Sequence, residues 1–184
     1  MREILILGRG GQGAQTAGNL LAQAFFEKGQ YVQTFATYGG ARRGTPVMSS
    51  IRVDDRPIKV RSNIERADAM LCFDDSLLDQ AFLKNADSKT LVVVNSTRPA
   101  SDFAGLGDYR IVPVDGRRIA RDNDMGKVIN STLLGAFVAV MGQPGIDAIS
   151  DVIESNAPAK KAQNVAACRE AFEKFSATAK EPSL

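Results

Sequence analysis

The chain has 184 residues, of which 44% are hydrophobic and 24% are charged, and its formal net charge is +2. This length suffices for one domain with a substantial core, so we expect a single domain over residues 1–184. The near-neutral charge argues against a dedicated nucleic-acid-binding protein, because such a protein normally carries a strongly basic surface. We therefore expect no nucleic-acid partner.

Signals for membrane insertion and secretion are missing from the sequence. The chain contains no apolar run of the roughly 18 residues that a transmembrane helix needs. Gly8 ends the first apolar run after four residues, which is too early for the core of a signal peptide. The sequence thus predicts no membrane span and a cytoplasmic location.

The amino-acid composition also excludes several kinds of catalysis. The chain has no histidine, which is the commonest general base and metal ligand in enzymes. Its two cysteines, Cys72 and Cys168, are far apart in the sequence and form no Cys-x-x-Cys pair. Histidine triads, zinc hydrolysis and an iron–sulfur cluster held by this chain alone are therefore excluded. We expect both cysteines to be small buried hydrophobic residues.

Short apolar strands alternate with helical segments along the chain. Strands are predicted at residues 4–7, 31–37, 47–53, 69–73, 90–94 and 110–114. Helices are predicted at residues 14–27, 77–83, 126–140, 146–154 and 159–179. This alternation predicts an α/β fold with a mostly parallel sheet and flanking helices.

Two further structural expectations follow from this pattern. Residues 58–60 are predicted to return beside strand 47–53, which makes a β-hairpin inserted between the β/α units. The apolar faces of helices 126–140 and 159–179 are expected to pack against other subunits.

The glycine-rich loop after the first strand is the first candidate site. Gly8, Gly10 and Gly13 have the G-x-G-x-x-G spacing of dinucleotide-binding loops, and Gly11 adds a fourth glycine. A strand precedes this loop and a predicted helix follows it, so several backbone N–H groups and the positive end of the helix point to one place. The loop is predicted to bind an anion, and the alternative is a tight strand-to-helix turn that binds nothing.

A nicotinamide dinucleotide is the usual ligand of such a loop. That function needs an acidic residue at the end of the second strand to hold the ribose hydroxyl groups. Here no Asp or Glu occurs between Lys28 and Asp54. Arg9, inside the loop, suits a phosphate better than a ribose. These observations weaken the nicotinamide interpretation, and a free-standing NAD(P)-binding protein is kept only as an alternative.

The loop after the second strand carries the adjacent pair Arg42 and Arg43, followed by Gly44 and Thr45. Two guanidinium groups on a glycine-rich loop can approach a phosphate or carboxylate closely and bind it through two hydrogen bonds each. Loops that follow successive strands of an α/β sheet emerge at the same edge, so both loops are expected to face one crevice. The alternatives are an exposed basic turn or salt bridges to another subunit.

Other polar residues near this edge are given structural roles. Tyr38 is expected to support its loop, and Asn130 is expected to cap or bond backbone groups. Asp74 and Asp75 follow the fourth strand, where a general base is conceivable. A helix N-cap is the favoured interpretation of this pair.

The loops together resemble the gamma subunit of the 2-oxoacid:ferredoxin (acceptor) oxidoreductases, the family of the pyruvate, ketoisovalerate and aryl 2-oxoacid enzymes. The resemblance rests on residues 8–13 and 38–44 and extends to residues 54–58 and to Asn130 with residues 134–136. It covers most of the chain, in the order of the family's motifs.

This resemblance implies a Rossmann-like fold and a role as one subunit of a larger enzyme. It also implies that this chain is inactive on its own. In that family, alpha and beta subunits bind thiamine diphosphate with Mg2+ and decarboxylate a 2-oxo acid. The 4Fe-4S clusters of a ferredoxin-like delta subunit pass the electrons to ferredoxin or another acceptor. The gamma subunit helps to bind coenzyme A, which accepts the acyl group.

The resemblance also implies which residues bind coenzyme A. Gln12 and Thr45 are the weaker candidates, chosen because their side chains can donate hydrogen bonds from the same loops. The full expected set is Gly8, Arg9, Gly10, Gly11, Gln12, Gly13, Arg42, Arg43, Gly44 and Thr45. A gamma chain of a relative that uses NAD or forms no thioester remains a further alternative, in which these loops are subunit contacts.

The first prediction concerns the arginine pair. In the assembled complex, Arg42→Ala and Arg43→Ala are expected to weaken coenzyme A binding, because each removes a guanidinium group that can pair with phosphate. Isothermal titration measures this affinity directly. Unchanged affinity in both variants would contradict the role of these side chains, although not the family resemblance.

Overall fold

A computed structural model describes residues 1–40 and 44–178 of the chain. Within these ranges, six strands form one sheet in the order β2-β3-β1-β4-β5-β6. The strands are β1 (Arg2–Arg9), β2 (Tyr31–Tyr38), β3 (Pro46–Asp54), β4 (Ala69–Cys72), β5 (Leu91–Asn95) and β6 (Arg110–Val114). The expected α/β class is confirmed, in the form of a mixed sheet with flanking helices.

The helices that the structure describes follow the strands in the chain. They are α1 (Ala14–Glu27), α2 (Gln80–Leu83), α3 (Gly116–Asp122), α4 (Asn130–Met141), α5 (Ile146–Asn156) and α6 (Lys161–Phe175). Short 3-10 turns add Asp75–Leu77 and Ala100–Leu106. None of the helices in the described ranges is both long enough and apolar enough to cross a membrane.

The sheet has a parallel half and an antiparallel half. Strands β1, β4, β5 and β6 pair in parallel, and helices or loops cover both of their faces. This double cover explains the continuous apolar runs in β1, β4 and β5. Strand β3 is antiparallel to both β1 and β2.

The predicted hairpin of residues 47–53 and 58–60 is wrong. Strand β3 is placed between β1 and β2 and pairs with each of them over eight residues. Both of its edges are therefore occupied, and no edge is left for a returning strand. Residues 58–60 form no strand, and Val60 is exposed.

The helical layer on one face of the sheet is built around α4. Residues 131–140 of this helix are all buried, and α1, α5 and α6 surround it. The apolar residues of α4 are thus covered within the chain, so the expectation that they pack against other subunits is wrong for this helix. The buried residues of α6, which include Ala167, Cys168 and Ala171, lie against α4.

Helix bounds near the sheet edges were the least predictable part of the fold. Helix α1 has the predicted bounds, whereas α3 was not predicted and α4 begins four residues after the predicted start. The predicted helix 77–83 is a 3-10 turn followed by α2, which Asp79 caps through the backbone N–H of Phe82. The predicted helix 159–179 is α6 alone, and its last residue, Ala179, lies outside the described residues.

Gly135 allows α4 and α6 to approach closely, and this contact generates a stability prediction. A Cβ atom at Gly135 would lie 2.0 Å from the backbone oxygen of Cys168. We expect Gly135→Ala to lower the free energy of unfolding by about 3 kcal/mol, at the upper end of overpacking costs, because the obstacle is backbone.

Urea unfolding followed by circular dichroism measures this difference. Gly105→Ala is the matched control, since a Cβ atom there meets nothing within 4 Å. The control is expected to change stability by less than about 0.5 kcal/mol. Equal stability of the two variants would show that the close approach of α4 and α6 is not required.

Both cysteines lie in the core, as predicted. Cys72 on β4 and Cys168 on α6 are each 0% exposed and unpaired. Burial raises the pKa of each thiol to about 12. Because the thiolate is the reactive form, both side chains are protected by charge state as well as by access.

A labelling experiment tests this protection. At pH 8, the folded protein is expected to take up no iodoacetamide, and the urea-unfolded protein is expected to take up label at both cysteines. Intact-mass measurement distinguishes the two states. Rapid labelling of folded protein at Cys72 would contradict the burial of β4.

Candidate functional site

The loops after β1 and β2 meet at one edge of the sheet. At this edge Arg9, the last residue of β1, pairs with Pro46, and Tyr38, the last residue of β2, pairs with Val47. The backbone N–H of Gly10 donates to the oxygen of Thr45 at 2.9 Å. The N–H of Gly44 donates to the oxygen of Gly10 at 3.2 Å.

These hydrogen bonds bring Gly44 and Thr45 of the second loop against the glycine loop, and a crevice lined by both loops stays a prediction. Arg42 and Arg43, the two basic residues predicted to face it, lie outside the described residues. Thr45 donates from its hydroxyl group to the oxygen of Gly40 at 3.1 Å.

The glycine loop needs glycine for two different reasons. At Gly8, a Cβ atom would lie 2.9 Å from Cβ of Ala14, so the strand could not approach the start of the helix. Gly11 and Gly13 have φ values of 95° and 89°, which side-chain-bearing residues rarely adopt. Gly13 is also the N-cap of α1 and offers no side chain to the first turn of the helix. The first-turn N–H groups can therefore serve an external anion.

The side chains of Arg9 and Gln12 are engaged with Asp74 at the end of β4. The Nε atom of Arg9 and the Nε2 atom of Gln12 each donate to Oδ2 of Asp74, both at 3.1 Å. Arg9 also donates to Oγ of Ser76 at 2.8 Å. Both residues were predicted to donate to a ligand, which stays a prediction, and their side chains hold the loop in this structure.

Asp74 caps the turn that follows it, as expected, and its carboxylate also accepts hydrogen bonds from the glycine loop. It accepts from the backbone N–H of Ser76 at the start of the 3-10 turn. Burial pushes the pKa of Asp74 upward, but the hydrogen bonds from Ser76, Gln12 and Arg9 outweigh it and hold the pKa below its ordinary value. The carboxyl group is therefore ionised at neutral pH.

A cleft of about 670 Å3 opens directly in front of the glycine loop. Residues 11–13 form one wall, and residues 126–130 with helix α3 form the other. Arg117, Arg121 and Lys127 line this cleft, are exposed, and form no ion pair with the part of the chain that the structure describes. No carboxylate belongs to its described lining, so this cleft has a positive charge and amide donors.

A second cleft of about 540 Å3 adjoins the first one. It lies between α1, α5 and the start of α6, and the two clefts share Val128 and Asn130. The side chain of Val128 is 51% exposed between them. Uncharged side chains such as Asn19 and Leu20 dominate the lining of the second cleft.

The basic residues of α3 and of the loop after it were not predicted from the sequence to be site residues. The signal was present in the run Gly116-Arg117-Arg118-Ile119-Ala120-Arg121, since positions four apart share one face of a helix. It was missed because α3 itself was not predicted. Arg117 and Arg121 accordingly line the cleft together, while Arg118 pairs with Asp122.

Tyr38, Asn130 and Asp75, which were expected to have structural roles, form hydrogen bonds within the chain. The hydroxyl group of Tyr38 donates to Oε1 of Gln15 on α1, which supports the end of β2. Oδ1 of Asn130 accepts from the backbone N–H of Ser131 at 3.0 Å. Asp75 accepts from Oγ of Ser96 at 2.6 Å. No group of three or more acidic or cysteine side chains in the described ranges could hold a metal ion.

Comparison with known sequences gives a consistent result. The family model described as pyruvate ferredoxin/flavodoxin oxidoreductase matches residues 3–174. Pyruvate synthase subunit PorC of Methanothermobacter thermautotrophicus is 37% identical over 177 residues, which cover 95% of this chain and 96% of that protein. The pyruvate/ketoisovalerate oxidoreductases common subunit gamma of Thermococcus litoralis is 36% identical over 182 residues, with coverage of 95% and 97%.

Solved structures show the same relationship. Pyruvate oxidoreductase subunit PORC of Thermotoga maritima superposes with a TM-score of 0.82 at 31% identity, covering 94% of this chain and 95% of that one. A 2-oxoglutarate:ferredoxin oxidoreductase of Magnetococcus marinus, solved with 2-oxoglutarate, coenzyme A and succinyl-CoA bound, has a TM-score of 0.77 at 21% identity. That match covers all of this chain but 32% of the larger one, and at this identity it shows the fold alone.

Proposed function

This chain belongs to the pyruvate ferredoxin/flavodoxin oxidoreductase family as a gamma subunit, and we propose that its part in the enzyme is to hold the phosphate groups of coenzyme A. The complex is an oxidoreductase that acts on an oxo group. The observation that carries the proposal is the positively charged cleft in front of the glycine loop.

The chemistry of the cleft suits a ligand with several phosphate groups. Amide groups of the glycine loop and the first turn of α1 can bind one phosphate from one wall. Arg117, Arg121 and Lys127 lie on the other wall and can pair with further phosphate oxygens. Coenzyme A carries a diphosphate and an additional phosphate on its ribose, and a cleft of about 670 Å3 is within the usual size of ligand sites.

The residues of the two loops contribute in different ways to this proposed site. Residues 11–13 line the cleft, and the side chains of Arg9 and Gln12 also hold the loop through Asp74. Arg42 and Arg43 directly precede Gly44 in the chain, and they are proposed to add further positive charge to the same site.

The mechanism of this subunit is positional. By holding the phosphates of coenzyme A, the chain restricts where the distant thiol can go, which raises its effective concentration at the acyl group. Thiamine diphosphate with Mg2+ on the alpha and beta subunits would supply the decarboxylation, and 4Fe-4S clusters of a delta subunit would supply electron transfer to ferredoxin. The chain itself, as one domain, would supply no catalytic group.

The substrate of the complex is proposed to be pyruvate or a related small 2-oxo acid. Relatives at 36–37% identity are called pyruvate synthase and pyruvate/ketoisovalerate oxidoreductase subunits. The residues that select the acid would lie on the subunits that bind thiamine diphosphate. The cytoplasmic location expected from the N-terminal sequence stays part of this proposal.

A free-standing NAD(P)-binding protein is not favoured. In a dinucleotide-binding sheet the strand after the first helix lies beside the first strand and brings its acidic residue to the ribose. Here β3 separates β2 from β1, and β2 carries no acidic residue. The end of β2 is therefore about 5 Å further from the glycine loop than in that arrangement.

The next prediction tests the proposed phosphate site with the double variant Arg117→Ala/Arg121→Ala. In the assembled complex, this variant is expected to bind coenzyme A about tenfold more weakly, because it loses charge-assisted hydrogen bonds to phosphate. Isothermal titration without the 2-oxo acid separates binding from catalysis. The affinity of the unmodified complex is expected to fall with added salt.

Arg118→Ala is the control for this experiment. Arg118 lies on the same helix but pairs with Asp122 and does not line the cleft. Equal affinity in the double variant and the unmodified complex would reject the cleft as the phosphate site. Equal weakening by Arg118→Ala would show that only the overall charge of α3 matters.

A further inference from the structure

Asp74 presents a carboxylate close to the loop that is proposed to bind phosphate. Its side chain is only 17% exposed, and its pKa is held below the ordinary value by surrounding donors, so it is charged at neutral pH. A negative charge at this place repels a phosphate group. The position of Asp74 therefore requires a reason other than electrostatic attraction for the ligand.

The hydrogen bonds of Asp74 supply that reason. Its Oδ2 atom accepts from Arg9 and from Gln12, both at 3.1 Å. The Oε1 atom of Gln12 accepts from the backbone N–H of Arg9 at 2.7 Å, and the backbone N–H of Gln12 donates to the oxygen of Arg9 at 2.9 Å. These hydrogen bonds connect the two ends of the turn of residues 9–12. They therefore fix the orientation of the backbone N–H groups that follow the turn.

The same carboxylate reaches the second loop through Arg9. The Nη1 atom of Arg9 donates to the oxygen of Gly44 at 3.4 Å, while its Nη2 atom donates to Oγ of Ser76. The Oδ1 atom of Asp74 accepts from the hydroxyl of Ser76 at 2.6 Å and from its backbone N–H at 3.2 Å. Asp74 is thus fixed at the end of β4 and connects both loops to the sheet.

We propose that Asp74 is a positioning residue for coenzyme A binding: it holds the glycine loop, through Gln12 and Arg9, in the shape that presents its amides to phosphate. This inference rests on the proposed function. Asp74 does not touch the ligand in this role. It neutralises the charge of Arg9 and holds that side chain where it connects the glycine loop to the loop that contains Gly44.

Substitution of Asp74 by asparagine distinguishes a positioning role from a simple effect of charge, because the two predict opposite changes in the affinity for coenzyme A. Loss of a negative charge alone would strengthen phosphate binding. An asparagine side chain, however, has only one oxygen to accept hydrogen bonds. Since Ser76 donates to one carboxylate oxygen and Arg9 and Gln12 donate to the other, the amide NH2 must face one set of donors. Positioning therefore predicts weaker binding.

The experiment compares Asp74→Asn with Asp75→Asn in the assembled complex. Asp75 is the adjacent carboxylate, which accepts from Ser96 and forms no hydrogen bond or ion pair with residues 8–13. Asp74→Asn is expected to raise the KM for coenzyme A about tenfold, with the KM for the 2-oxo acid and kcat at saturating coenzyme A retained. Asp75→Asn is expected to leave the KM for coenzyme A unchanged or to lower it.

A coenzyme A affinity of Asp74→Asn equal to or tighter than that of the unmodified complex would overturn the positioning role. Equal changes in both KM values would also overturn it, because they indicate general damage. Should Asp74→Asn fail to assemble, Ser76→Ala keeps the carboxylate and removes the hydroxyl group that bonds both Asp74 and Arg9 without lining the cleft. It is expected to raise the KM for coenzyme A selectively, and an unchanged KM would reject the role.

The Arg117→Ala/Arg121→Ala complex, measured beside these variants, distinguishes the two proposals. Normal coenzyme A binding in that complex contradicts the proposed function itself. Weak binding there, together with normal binding in both Asp74→Asn and Ser76→Ala, contradicts the positioning role alone.

Discussion

The pairing of β3 between β1 and β2 is the constraint on which the site depends. Each pairing runs over eight residues, and the register places Arg9 beside Pro46 and Tyr38 beside Val47. Both loops must therefore leave the sheet at the same edge, only one strand apart. The backbone bonds between Gly10 and residues 44–45 follow from this register. With β3 in this place, Gly44 and Thr45, which directly precede it, lie beside the end of β1.

Charge is divided at this edge between residues that hold the site and residues that face the cleft. Arg9 is paired with Asp74 and braces the loops, whereas Arg117, Arg121 and Lys127 have no acidic partner among the described residues. A charge that is paired with an opposite charge has little electric field at a distance, so Arg9 and Asp74 contribute mainly to the conformation of the loops. Unpaired charges attract an anion from a distance. The cleft therefore combines a wall of backbone amides with a wall of cationic side chains.

The features of this chain that are predictable from its sequence are those that local interactions determine. The strand, glycine loop and helix of residues 2–27 were recognised because glycine spacing and helical periodicity are read within a few residues. The buried cysteines and the cap at Asp74 were recognised for the same reason. Helix α3 was missed because its seven residues are too few to show a clear periodic pattern. The false hairpin at residues 58–60 arose because alternation alone does not show which strand edges are free.

The sequence by itself determined the chemical groups that this protein can offer: a glycine-rich loop between a strand and a helix, arginine pairs, no histidine and two widely separated cysteines. It also carried the motifs that resemble those of a gamma subunit, and the comparisons confirm that membership. Only the tertiary structure decided which of these groups meet. Arg9 finds its partner 65 positions away at Asp74, and Arg117 faces a loop more than a hundred residues earlier in the chain. Such contacts depend on strand order, which is a property of the whole sheet and not of any local segment.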